Sequence, residues 1–529
     1  MADESLPQGF SRNTAVMATG TLLSRLTGFG RVVALVWAFH LTRLADVYNI
    51  ANTVPNLLYD LVLGGILSAT LVPVFVDYLG RQDEEEGWRA VSAVVTAITV
   101  TLAILTAIFW LVAPLLIRFY LMLNHTSSAA DQRAIGTTLL RLFVPQLFLL
   151  GGIAVTMALL NARRHFFAPA FSPILNNLVV IAAIVGTRVV ASSLRLGDFR
   201  HDRAALLLLG LGTTAGYLVQ FAVQVPPLIR RRFRLRPVWD PSHPAVRTVL
   251  RLSLWTFGAV VANQISFNLI LVFAGRKAGD VTVFNTAFQF FQLPYAIFAV
   301  SIASVITPDL AERWNNRDLG GFRRQMASGL RLTLAIMVPA AVGYIILAHP
   351  FLELVFRHGS FSSGDAHRIG TAVALFAIGL PGFSAFLLLM RGYQAMQDTR
   401  RMFWLYVVEN GITIVLAAAL YPALGVNGLA LGWVIAYSVG TLVAFADLRT
   451  RARGLEGAAT AATLVRVCVA SAGMAVVVGL VRLLIGGGSD AHLTAEVLLG
   501  AVIGAVAYLI FSRALGVREL WTSLQQVRR

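Results

Sequence analysis

Cysteine is almost absent from this 529-residue chain. Cys468 stands alone inside an apolar run, so neither a disulfide framework nor a thiolate metal site can be built. Lysine is equally scarce, with Lys277 the only one, and charged residues make up just 13% of the chain, against about 25% in an ordinary soluble domain. So little polar surface cannot cover a soluble globule, which excludes soluble enzymes, disordered tails and fibrous proteins. Also missing are a Ser-His-Asp array, paired catalytic carboxylates, a Walker loop and a His/Cys cluster in usable spacing. No enzymatic activity, cofactor or ATP-driven step within this chain is therefore expected. His358 and His367 read as loop histidines, and whether any metal binds is left open.

What the chain has in abundance is apolar length. Hydrophobic residues make up 57% of it, enough for an upper bound of about fifteen spans at about 20 residues each. Runs such as 94–116 and 458–485 are apolar on every face, where β-barrel strands would alternate. The expected fold is an all-α polytopic membrane protein. Helices are expected near 14–40, 47–79, 91–117, 137–160, 171–192, 204–228, 249–274, 281–312, 327–350, 369–392, 403–423, 426–447, 463–486 and 493–514, fourteen in all. Asp3 and Glu4 stand where a signal peptide would be basic, so the first apolar segment is expected to stay in the membrane.

Basic residues outnumber acidic ones 43 to 26, but they lie in short loops between spans, which points to membrane topology and not to nucleic acid. Loops on the side of the termini hold Arg163, Arg164, the basic run 230–236, Arg400, Arg401 and Arg449, and those opposite hold fewer arginines. The positive-inside rule then puts both termini in the cytoplasm. Two segments repeat at nearly one offset: Ala69-Thr-Leu-Val-Pro73 and Ser304-Val-Ile-Thr-Pro308 at 235 residues, Leu159-Leu-Asn-Ala-Arg-Arg164 and Gly392-Tyr-Gln-Ala-Met-Gln397 at 233. They suggest a six-helix lobe over 1–233, a second over 244–450 and an appended helix pair over 456–529, with the substrate path along the seam of the lobes. That is a transporter layout.

Ionisable and polar groups inside spans are the candidates for function. Arg25 and Arg31 on the first helix are six residues apart, about 9 Å of rise and about 120° of rotation, so they can line one broad basic wall. On the second helix Asn49, Asn52, Thr53, Asn56 and Asp60 form a polar stripe, with Pro55 within it and Gly64 and Gly65 after it marking a bend. Arginine forks bind phosphate oxygens, and asparagine amides both donate and accept, so this pairing suits a substrate carrying phosphate and sugar. A cationic drug would want the reverse polarity.

The run Asn13-Thr-Ala-Val-Met-Ala-Thr-Gly-Thr-Leu-Leu-Ser-Arg-Leu-Thr-Gly-Phe-Gly-Arg31, followed by Ala45-Asp46, Pro55-Asn56-Leu-Leu58 and Gly65-Ile-Leu-Ser-Ala-Thr-Leu-Val-Pro73, resembles the opening of the MurJ (MviN) family of lipid II flippases. Leu354-Val-Phe-Arg-His-Gly-Ser-Phe361 and Arg391-Gly-Tyr-Gln-Ala-Met-Gln-Asp-Thr-Arg400 are similar to that family's later motifs. The resemblance implies a member of the multidrug and oligosaccharidyl-lipid exporter superfamily that carries the undecaprenyl-diphosphate-linked disaccharide-pentapeptide outward across the bacterial plasma membrane. It also implies that Arg25, Arg31 and Asp46 act on the substrate and that residues 463–514 form a groove for the polyprenyl tail. The implied partners are lipid II, membrane lipids and cell-wall synthesis proteins. Two positions depart from the family pattern: Tyr59-Asp60 stands where many members carry an arginine, and Gln289 stands where a cavity arginine is usual. Two rivals stay open, a cation-coupled drug exporter of the same architecture and a membrane-embedded polyprenyl-phosphate enzyme. The energy source, whether membrane potential, sodium or protons, is open as well.

Overall fold

The computed structural model describes residues 8–59, 71–80, 83–163, 165–230, 233–240, 242–356, 363–485 and 490–521, and every regular element among them is helical. The chain divides into two compact units. The first, Met1–Gln264, holds α1 (Gln8–Phe39), α2 (Arg43–Tyr59), α3 (Val72–Leu79), α4 (Glu84–Tyr120), α5 (Ala129–Phe143), α6 (Pro145–Ala162), α7 (Phe167–Val190), the short α8 (Leu196–Phe199), α9 (Arg203–Arg230) and most of α10 (Pro244–Ala274). The second, Ile265–Arg529, holds the end of α10 and then α11 (Asp280–Pro294), α12 (Val300–Asn315), α13 (Leu319–Phe356), α14 (Ser363–Ile378), α15 (Leu380–Ala395), α16 (Thr399–Leu424), α17 (Val426–Arg451), α18 (Gly457–Ile485) and α19 (Asp490–Ala514).

Among the described residues 11 helical segments are long and apolar enough to cross a membrane, or 12 if α14 and α15, bent by 47° about Gly379, form one span. These answer to all but two of the fourteen expected helices. The expected helix 47–79 is divided between α2 and α3, with residues 60–70 outside the description, and 249–274 supplies only the shorter apolar helix Gly258–Ala274.

Helix ends follow local chemistry. Asp83 caps α4 by accepting from the backbone N–H groups of Glu85 and Glu86, and three acidic residues in the first turn suit the positive end of the helix dipole. Between α16 and α17 the chain reverses at Gly425, whose φ of +59° favours glycine. Gly428 then lets the two helices close, because a Cβ there would lie 2.5 Å from the Leu420 carbonyl oxygen. After Pro294 the backbone takes a single π turn, Tyr295–Ala299, leading into α12.

Burying apolar surface between helices gains little when the alternative is lipid, so close approach at small residues and buried hydrogen bonds must hold each unit together. In the first unit α1 packs along α7, and α7 along α9. A Cβ on Gly20 would lie 2.7 Å from that of Ala170, and one on Gly216 would lie 2.5 Å from Asn176 Oδ1. Gln224 bridges the helices by accepting from Thr156 at 2.8 Å and donating to Ser172 at 2.9 Å, and Asn176 donates to Gln220 at 3.0 Å. In the second unit α13 runs against α14, α15, α18 and α19. Phe288, Phe291, Phe376, Phe383, Trp433 and Tyr437 form one aromatic cluster, with Phe291 and Trp433 centroids 4.9 Å apart. The C-terminal pair is seated on α13 through Val467, Ala470, Met474, Val478 and Tyr508 around Ala335.

Candidate functional site

The site residues begin with the spacing on α1. Gly20, Ser24, Thr27, Gly28 and Arg31 fall on one helical face, which α7 covers, and Arg25 lies about 100° from Ser24 around the axis. Asn177 of α7 clamps that face, its amide donating to the Ser24 carbonyl at 3.2 Å and to Thr27 Oγ1 at 3.0 Å. The two arginines therefore part company: Arg25 is exposed and Arg31 is partly buried.

Arg31 is held by two tyrosines. Its guanidinium lies within electrostatic reach of the Tyr217 hydroxyl of α9 and of the Tyr48 hydroxyl of α2. Both rings are nearly inaccessible, at 5% and 2% exposure, and the Tyr48 hydroxyl is 3.3 Å from Thr213 Oγ1. Among the described residues no carboxylate pairs with Arg31, and the groups that face its guanidinium there are the neutral tyrosine hydroxyls.

The α2 stripe starts beside this cluster. Thr42 caps the helix, its hydroxyl donating to the Phe39 carbonyl and accepting from Ala45 N–H. Asp46 is buried in the first turn. It has a counterpart 234 residues later in Asp280, the first residue of α11, which is also buried and is gripped by Arg368 at 2.8 Å and Tyr421 at 3.0 Å. Asn49, Thr53 and Asn56 are partly buried, with Asn52 more deeply enclosed. Thr53 and Asn56 spend one donor each on carbonyls of their own helix, those of Asn49 and Asn52, while Asn52 Oδ1 is buried without a partner among the described residues. Asp60 lies outside the described residues. Gln289 is exposed on α11, in the second unit.

Sequence reasoning missed Tyr48 and Tyr217, since tyrosines in apolar helices carry no signal of what they face. It also missed Glu409, where a signal existed: a lone carboxylate in the middle of α16. Glu409 is fully buried, accepts from Thr413 Oγ1 at 2.9 Å through Oε1, and leaves Oε2 without a hydrogen bond among the described residues. Gly440 of α17 makes room for it, a Cβ there lying 3.1 Å from Glu409 Cγ. One turn away Tyr406 lines a cavity of about 110 Å³ together with Tyr295, Ser384, Arg391 and Gln394. Among the described residues no group of three or more His, Cys, Asp or Glu side chains could hold a metal ion.

The membrane-spanning fold, with a partly buried arginine between tyrosines in its first unit, has known relatives. It is 27% identical over 444 residues to the lipid II flippase MurJ of Burkholderia cenocepacia, covering 82% of each chain. It is 24% identical over 512 residues to the probable lipid II flippase MurJ of Thermotoga maritima, covering 96% of this chain and 97% of that one. Its fold is similar to a solved lipid II flippase MurJ in an inward closed conformation, with a TM-score of 0.75 at 21% identity over 95% of this chain and 99% of that one. An inward-facing multidrug resistance transporter of the MATE family shares the fold at a TM-score of 0.66 and 15% identity, over 82% of this chain and 96% of that one. The family model described as lipid II flippase MurJ matches residues 36–517, nearly all the membrane-spanning chain, and the chain belongs to that family.

Proposed function

We propose that this protein moves the undecaprenyl-diphosphate-linked peptidoglycan precursor, lipid II, from the inner to the outer leaflet of the bacterial plasma membrane by alternating access, for cell wall synthesis. Family membership supports the substrate, and the single structural observation that carries the reading is Arg31: a partly buried guanidinium positioned by two neutral tyrosines and offered to an anion. Guanidinium forks bind phosphate oxygens in pairs, and a diphosphate is the charged part of this substrate. In this reading Arg25, Arg31, Asn49, Asn56, Asp60 and Gln289 contact the headgroup. Asp46, buried in the first turn of α2, belongs to the same substrate-binding set. Both termini lie in the cytoplasm, and the chain breaks no covalent bond.

Glu409 is the group we assign to energy coupling. A buried carboxylate with one oxygen unsatisfied must carry a proton or hold a cation, because burying the bare charge costs several kcal/mol. With no cluster of metal ligands among the described residues, a proton or a monovalent cation suits it better than a divalent metal.

The test is reconstitution of the purified protein in vesicles with fluorescent lipid II on one leaflet, followed by measurement of its appearance on the other. Flipping of lipid II without efflux of cationic drugs supports the reading. Drug efflux without lipid II movement favours a cation-coupled exporter of the same fold, and conversion of lipid II into a product favours a membrane enzyme.

A further inference from the structure

Away from the arginine site, α7 and α9 of the first unit leave an open groove of about 550 Å³ between the start of one helix and the end of the other. Its walls are apolar, formed by Phe167, Phe171, Leu175 and Val223, with the rings of Phe167 and Phe171 stacked at 4.6 Å. Pro226 and Pro227 of α9 also line it, and because they have no N–H the carbonyls of Ala222 and Val223 lack their usual helical donors. At one end the groove meets His165 and Arg230, and among the described residues no acidic side chain lines it. Arg230 is exposed and has no ion pair among the described residues, and the chain continues from it as Arg231-Arg232-Phe233-Arg234.

We propose that this groove is a seat for an anionic phospholipid, with an acyl chain against the phenylalanines and the phosphate on Arg230 and His165. A lipid-facing apolar groove in a bilayer is filled by a chain, and the basic end selects which lipid supplies it: guanidinium pairs with phosphate in a fork, and basic pockets at the cytoplasmic ends of membrane helices attract anionic headgroups. A zwitterionic lipid would bring a second, repelled cation to the same place. The assignment stands apart from the transport reading, since no residue of the Arg31 cluster or the α2 stripe takes part in it.

Spin-labelled lipids test it in vesicles of phosphatidylcholine holding the full-length protein. The fraction of immobilised label is compared for phosphatidylglycerol, phosphatidylcholine and undecaprenyl diphosphate. One added basic contact near the surface predicts that phosphatidylglycerol is favoured over phosphatidylcholine about fivefold. Arg230→Gln should bring that ratio close to one, while Arg234→Gln, outside the groove lining, should leave it unchanged. Val223→Trp, which fills the groove, should reduce immobilisation of the glycerol lipid without lowering the thermal unfolding temperature. Equal loss in Arg230→Gln and Arg234→Gln would show a diffuse basic surface and overturn the proposal. Selection of undecaprenyl diphosphate alone would overturn it in favour of a second substrate contact.

Discussion

If Tyr217 matters to transport, it does so through Arg31, and a double-mutant cycle on that pair can show it. Arg31→Ala removes a hydrogen-bonding cation from a diphosphate, a contact worth about 1.5–3 kcal/mol, which corresponds to about 12- to 140-fold weaker lipid II binding. Tyr217→Phe keeps the buried ring and removes only the hydroxyl that faces Arg31. It should cost about 0.5–1.5 kcal/mol, about 2- to 12-fold. Combining the two should weaken binding no further than Arg31→Ala alone, because the hydroxyl then has nothing to position. Arg31→Lys should fall between, as it retains the charge and loses the fork. Binding is measured by titration of labelled lipid II onto detergent-solubilised protein and flipping in reconstituted vesicles, with thermal unfolding to verify the fold. Additive losses in the double variant would show that Tyr217 acts independently of Arg31. Full binding by well-folded Arg31→Ala would remove Arg31 from the site.

Glu409→Gln removes the buried charge while nearly preserving shape, so lipid II binding should be retained and flipping should lose its dependence on the coupling gradient; wild-type gradient dependence in the variant would contradict the assignment. Asp280→Asn should lower thermal stability by about 1–2 kcal/mol through loss of the Arg368 pair, a modest figure because Arg368 is 41% exposed and screened by solvent; an unchanged unfolding temperature would show that the pair is not a clamp. Deleting residues 456–529 uncovers Ala335 and its neighbours on α13 to lipid and not to water, so the remaining helices should fold. That truncation should fail to move lipid II and still move a short-chain analogue, and undiminished transport of lipid II would show that the last pair serves no tail.

The fold class was legible because a bilayer imposes a crude rule. Backbone polar groups must be satisfied within each segment, so long runs that are apolar on every face can only be helices, and 94–116 or 458–485 need no partner to reveal it. The repeat offset was legible too, and it reaches further than the two motifs that first showed it, since Asp46 and Asp280 obey it. Helical arithmetic put Arg25 and Arg31 about 120° apart on α1, and the structure leaves the first exposed and the second partly buried. It could not say which faced inward, because period alone does not reveal which neighbour covers which face. That was decided by Asn177 gripping Ser24 and Thr27 from α7, and by Tyr48 and Tyr217 arriving from α2 and α9. Two of the four described members of the polar stripe on α2, Thr53 and Asn56, likewise bond carbonyls of their own helix one turn back. A polar side chain in an apolar helix announces only that its hydrogen bonds must go somewhere; whether they go to the helix itself, to a neighbour or to a substrate depends on contacts between residues distant in sequence, and those exist only once the helices have packed.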